Sequence, residues 1–85
     1  MTLRRQKEAE VFGATLRELR TKRRLTQGAL ANKAGLIENY ISDMERGLKV
    51  PSLTTLLRLA AALDCKVTSL VAVFDKTHFQ IDSLE

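Results

Sequence analysis

The 85-residue chain has one cysteine, one proline, four glycines and one histidine. Each scarcity excludes something. A single Cys65 rules out an internal disulfide framework, and Cys65 with His78 falls several ligands short of a zinc site, so neither metal nor cofactor is expected. A reducing, cytoplasmic setting follows as the expectation. No window holds the long uncharged apolar run that a membrane span needs, so the chain is expected to be soluble, without a membrane partner. Arg4, Arg5 and Lys7 are followed by Glu8 and Glu10 where an export signal would place its apolar segment, and no such signal is expected. There is no Gly- or Ser-rich linker and no internal repeat. At this length one domain is expected, and a chain so short buries only a modest core unless it associates.

Basic charge is unevenly spread. Residues 1–33 hold nine Lys and Arg against three Glu, residues 34–58 balance three against three, and residues 59–85 hold two against four. A polyanion is drawn to one end of such a molecule, with the salt dependence that counterion release brings. A solvated helix face accounts for the same charges less specifically.

Hydrophobic periodicity predicts short helices with tight joins. Phe12, Leu16 and Leu19 fall at helical spacing in a first helix from about Ala9 to Arg24. Thr26 is an N-cap candidate for a second helix, about two turns long, with Leu30, Ala31 and Ala34 on its apolar side and Gly35 as its stop. Ile37, Ile41 and Met44 carry a third, which Gly47 ends. Pro51 and Ser52 stop the chain and cap a fourth, whose stripe of Leu53, Leu56, Leu57, Ala60 and Leu63 marks it as the core helix. A fifth is expected from about Thr68 to Phe74. There Leu70, Val71, Val73 and Phe74 offer more apolar surface than one side of a short helix buries within a monomer, which suggests a dimer contact. After a core of about residues 9–74, the alternation in His78-Phe79-Gln80-Ile81 fits an edge strand, an ordered arm or a frayed tail within residues 75–85. Cys65 reads as a small apolar filler, with only Lys66 nearby to lower its pKa.

Two short helices joined through a glycine turn and held by others form the scaffold that presents one helix to a DNA major groove. Leu25-Thr26-Gln27, Leu30-Ala31, Ala34-Gly35, Tyr40-Ile41-Ser42, Glu45-Arg46-Gly47, Pro51-Ser52-Leu53 and Leu59-Ala60-Ala61-Ala62-Leu63 follow in that order. This run, over roughly residues 12–74, resembles the Cro and phage-repressor helix-turn-helix family of transcriptional regulators. The resemblance implies an all-α, compact five-helix lambda-repressor-like domain that binds double-stranded DNA as a homodimer on a roughly palindromic site.

The resemblance also implies roles for single residues. Gln27 would fix the domain on the DNA backbone, where a helix N-terminus also favours phosphate. Ile37, Glu38, Asn39 and Asp43 would face base edges: Asn39 toward adenine, Glu38 or Asp43 toward a cytosine amino group, Ile37 toward a thymine methyl. Arg46, Lys49 and Lys33, with Ser42 and Tyr40, are candidates for backbone contacts; each cation has an alternative as a solubilising charge, and Tyr40 as a cover for the join between helices two and three. Arg20 and Glu45 match positions of an internal ion pair.

The chain departs from the family pattern where Ile37 replaces a capping Ser or Thr, and where Gly28 and Ala29 replace acidic residues in the first turn of helix two. The small size and the segment from Tyr40 to Gly47 are similar to controller proteins of restriction-modification systems, with phage repressors and antitoxins close by. Regulation would be repression, or activation through contact with RNA polymerase. The rival reading is a protein-interaction module with little DNA binding, motivated by the carboxylates of Glu38 and Asp43. An enzyme has least support, since no pair of ionisable groups has the spacing of a nucleophile with its base.

Overall fold

A computed structural model describes the backbone of residues 2–76 and the side chains of residues 7–75. These residues form six α-helices and no strand: α1 (Thr2–Lys22), α2 (Gln27–Ala34), α3 (Glu38–Glu45), α4 (Leu53–Ala62), α5 (Val67–Val71) and α6 (Val73–Lys76). The alternation at residues 78–81 lies outside the described residues.

α1 starts earlier than the apolar spacing predicts. Residues 3–8 contain no glycine or proline and are rich in Arg, Gln, Lys and Glu, all good helix formers, so nothing stops the helix short of Thr2. It ends before the expected Arg24, which takes a left-handed backbone with φ 59°. The expected fifth helix divides: Ala72 turns the chain, and the amide of Asp75 donates back to the carbonyl of Ala72 in a tighter i−3 bond.

Local chemistry sets the short helices. The hydroxyl of Thr26 accepts from the amide of Ala29 at 3.0 Å, and the hydroxyl of Ser52 accepts from the amide of Thr55 at 3.1 Å, so both act as N-caps. Gly35 closes α2 with φ 71° and donates to carbonyls of its last turn. Ile37 precedes α3 without a side-chain cap bond.

The core joins Phe12 and Leu16 of α1, Leu30, Ala31 and Ala34 of α2, Ile41 and Met44 of α3, Leu59 and Ala60 of α4, then Leu63 and Leu70. α3 packs between α1 and α2, while α4 backs α2 and α5. The apolar stripe expected on α4 needs correction. Ala60 and Leu63 are buried and Leu56 half-buried, but Leu53 and Leu57 are 69% and 52% exposed. The inward side instead carries Leu59 and Thr55. Thr55 is tolerated there because its hydroxyl accepts from Ser52 Oγ at 3.1 Å and from the Tyr40 hydroxyl at 3.4 Å. Cys65 is half-buried, and burial pushes its thiol pKa up. The cation whose field opposes that rise is Arg23, not the expected Lys66.

Gly13, in the middle of α1, is buried where α1 crosses the end of α3. A Cβ there would run into the carbonyl oxygens of Met44 and Glu45. Because these are backbone atoms, they cannot rotate away. Gly13→Ala is therefore expected to lower stability by about 1–3 kcal/mol despite its better helix propensity. Urea unfolding checks this; a neutral or stabilising result would show that α1 and α3 can separate at no cost.

Candidate nucleic-acid interface

α3 has two contrasting sides. Ile41 and Met44 are fully buried, while Ile37, Glu38, Asn39 and Arg46 are exposed and Ser42 and Asp43 are half-buried. Helical spacing puts Asn39 and Asp43 on one side, away from the core. With Ile37 at 70% exposure, the start of α3 is an open apolar and polar surface.

The far end of α3 is fixed from within. Arg20 donates to Glu45 through Nε at 2.6 Å and Nη2 at 3.0 Å, a two-pronged pair whose side chains are only 12% and 4% exposed. Arg20 Nη1 also donates to the carbonyl of Leu25 at 2.8 Å. Hydrogen bonding to Glu45 outweighs desolvation and holds the guanidinium pKa above its ordinary value. Gln27 joins the same carboxylate, its Nε2 donating to Glu45 Oε1 at 3.0 Å. One carboxylate thus ties together α1, the start of α2 and the end of α3.

Asp43 is not a bare negative charge. Arg46 Nη2 lies 2.8 Å from its Oδ1 and Lys49 Nζ lies 3.5 Å from its Oδ2. Lys49 also stands 6.0 Å from the centre of the Tyr40 ring, at the edge of cation–π range. Tyr40, half-buried, turns its hydroxyl inward to Thr55. Lys33 is exposed near the end of α2.

The residues expected at a dimer contact divide. Leu70 is fully buried within the protomer core, so its surface is spent there and is not available to a partner. Val71, Val73 and Phe74 are half-buried. Val71 and Phe74 line an apolar cleft of about 360 Å³ with Glu8, Phe12, Val50, Pro51 and Leu56. Among the described residues, no group of three or more His, Cys, Asp or Glu could hold a metal ion, and no helix is long and apolar enough to cross a membrane.

Some of this arrangement is not apparent from spacing. A mid-helix glycine was the available signal for Gly13. No signal marks Arg58, whose guanidinium reaches back from α4 to the carbonyl of Ala34 at 3.5 Å.

Comparison with known proteins shows the family. Residues 11–72 match the model of a family described as a helix-turn-helix domain. An immunity repressor of Bacillus phage phi105 is 42% identical over 59 residues, covering 69% of this chain but only 41% of that repressor. An uncharacterised HTH-type transcriptional regulator of Sinorhizobium fredii is 34% identical over 70 residues, covering 82% of this chain and 91% of that protein. Among solved structures, the restriction-modification controller protein C.AhdI of Aeromonas hydrophila superposes with a TM-score of 0.75 at 42% identity, covering 76% of this chain and 94% of that one.

Breaking the buried pair tests how α3 is held. Glu45→Ala leaves a charged guanidinium poorly solvated and is expected to cost about 3–5 kcal/mol. In a double-mutant cycle with Arg20→Ala, the combined loss should fall well short of additive. Additive losses in denaturant unfolding would mean that the two side chains do not act as a unit.

Proposed function

Since the chain belongs to the helix-turn-helix family of transcriptional regulators, we propose that it binds double-stranded DNA sequence-specifically as a homodimer, with α3 in the major groove. The observation that carries this reading is the two-sided burial of α3: Ile41 and Met44 anchor it in the core while Ile37, Glu38 and Asn39 are exposed at its start. Two copies would place their α3 helices in successive major grooves, about 34–36 Å apart, on a roughly palindromic site. The protein acts at a promoter by repression, or by activation when the bound dimer touches RNA polymerase.

Backbone and base contacts divide between elements. Gln27, at the start of α2, has its amide nitrogen on Glu45 and its carbonyl oxygen without a donor among the described residues. It fixes the domain on phosphates together with the unpaired amides of the first α2 turn. Asn39 reads a base edge. Arg46 and Lys49 neutralise Asp43 and leave that trio with a net positive charge for the backbone, with Ser42, Lys33 and Tyr40 at its margins. The pairing of Asp43 also removes one of the two observations that favoured a module with little DNA binding.

Selection from random duplexes tests the reading directly. A palindrome should be enriched, with affinity falling steeply as salt rises; no enrichment at low salt would favour the protein-interaction module. Gln27→Ala should weaken binding to all sequences alike, whereas Asn39→Ala should relax preference at one base pair by about 1–3 kcal/mol. Equal, sequence-blind losses in both variants would reject that division.

The dimer is proposed to form through Val71, Val73 and Phe74 and the adjoining apolar cleft. The exposed Val50, which lines the cleft, adds to the apolar surface that a partner would cover. Val73→Glu is expected to shift sedimentation from dimer to monomer with unchanged helicity by circular dichroism. A variant that still sediments as a dimer would place the contact elsewhere.

A further inference from the structure

The two carboxylates on the outward side of α3 have different surroundings. Asp43 is neutralised by Arg46 and Lys49, whereas Glu38 has no cation within ion-pair distance among the described residues. The Glu38 carboxylate instead lies across the first turn of α2. Its Oε1 and Oε2 are 3.2 and 3.9 Å from the point where a Cβ on residue 28 would stand, and the glycine there leaves the space open.

That turn has amides to offer. Thr26 takes the amides of Ala29 and Leu30, through its hydroxyl and its carbonyl, while those of Gln27 and Gly28 find no acceptor among the described residues. α2 has no acidic residue in its own first turn. The acidic group that stands near that turn is Glu38 of α3, a charge of the sign that a helix start favours. The same turn is the one that meets a phosphate in the proposed complex.

We infer that Glu38 is a specificity-determining residue that makes the backbone contact conditional on the base. The inference rests on the DNA-binding reading above. In the free protein the Glu38 carboxylate stands beside the first turn of α2, near its amides but not hydrogen-bonded to them. A phosphate oxygen within about 4 Å of it would be repelled, because that separation lies well inside the Debye length of about 8–10 Å at physiological salt. At a correct site the side chain swings into the major groove, where a cytosine amino group donates to it, and the α2 turn is cleared for phosphate. At a wrong site no donor draws it away, and the carboxylate opposes the backbone contact. Glu38 is exposed and makes no hydrogen bond or ion pair among the described residues, so the movement requires only rotamer changes.

The test compares wild type, Glu38→Gln and Gly28→Ala on three probes: a duplex recovered by selection, the same duplex with its candidate cytosine pairs replaced one at a time, and a random duplex. Glu38→Gln keeps the shape and removes the charge. It is expected to bind the random duplex about 5–10-fold more tightly and to lower the ratio of selected to random affinity at least about 10-fold, with the lost preference confined to one cytosine position. A Cβ at residue 28 would meet Glu38 Oε1 at 3.2 Å, so Gly28→Ala displaces the carboxylate only slightly and should leave random-duplex affinity within about 2-fold of wild type, the control that keeps the charge in place. In the free protein, Glu38→Gln should shift the Gln27 and Gly28 amide resonances. Unchanged or weaker random-duplex binding by Glu38→Gln, or unmoved amide resonances, overturns the inference while leaving the DNA-binding reading intact. Wild type that binds no duplex at all removes both.

Discussion

The Glu45 carboxylate is the constraint on which the rest depends. It is almost wholly buried at the end of α3, and it accepts two hydrogen bonds from Arg20 of α1 and one from Gln27 of α2. An eight-residue helix has little stability of its own, and α3 begins at Ile37 without a side-chain cap. Its placement must therefore come from contacts along its buried side and at its far end. Ile41 and Met44 supply apolar packing, which has no direction, whereas the pair with Arg20 fixes an angle. Such a pair adds little net stability after the cost of desolvating both charges, so its value here is orientation.

Gln27 makes that orientation matter beyond α3. Its amide rests on the buried carboxylate, so the start of α2 and the end of α3 share one anchor. A rotation of α3 relative to α1 would disturb Glu45 and, through it, Gln27. In the proposed complex the element that grips the backbone and the element that reads bases are therefore held in fixed relation, as phosphate contacts that set register require. Gly13 serves the same end, since only a residue without a Cβ lets α1 approach the last carbonyls of α3 this closely.

Features set by local chemistry were legible in the sequence, and features set by competition between similar surfaces were not. Thr26, Ser52 and Gly35 act on atoms within a few residues of themselves, so their caps could be read directly. The inward side of α3 could be read because Ile41 and Met44 are its only strongly apolar residues. On α4 the spacing misled. Leucines lie on both sides of that helix, and the burial of Thr55 through hydrogen bonds to Ser52 and Tyr40 turns Leu53 and Leu57 outward. Leu70 posed the same difficulty, because apolar surplus in a sequence does not say which residue the protomer itself will use. Arg20 and Glu45, 25 positions apart, were paired only through the family resemblance and not from periodicity. The approach of Glu38 to the turn at Gly28 had no sequence signal, since it depends on how α2 and α3 pack.

Charge and the proposed reading surface are separated in this molecule. Around α3, Asp43 offsets much of Arg46 and Lys49, and Glu38 adds a further negative charge. The surplus of positive charge lies in residues 1–33. Within it, Arg23 is engaged with the carbonyl of Asp64, and Lys22 faces Glu18 at an exposed 3.7 Å, a separation at which a surface pair contributes little. Arg24 and Lys33 are exposed and have no acidic partner among the described residues. Long-range attraction to a polyanion therefore comes from the α1–α2 region, and α3 itself contributes little of it. In the proposed complex a nearly neutral α3 surface gains little from non-specific approach, which leaves its own contacts to decide whether a given sequence is held.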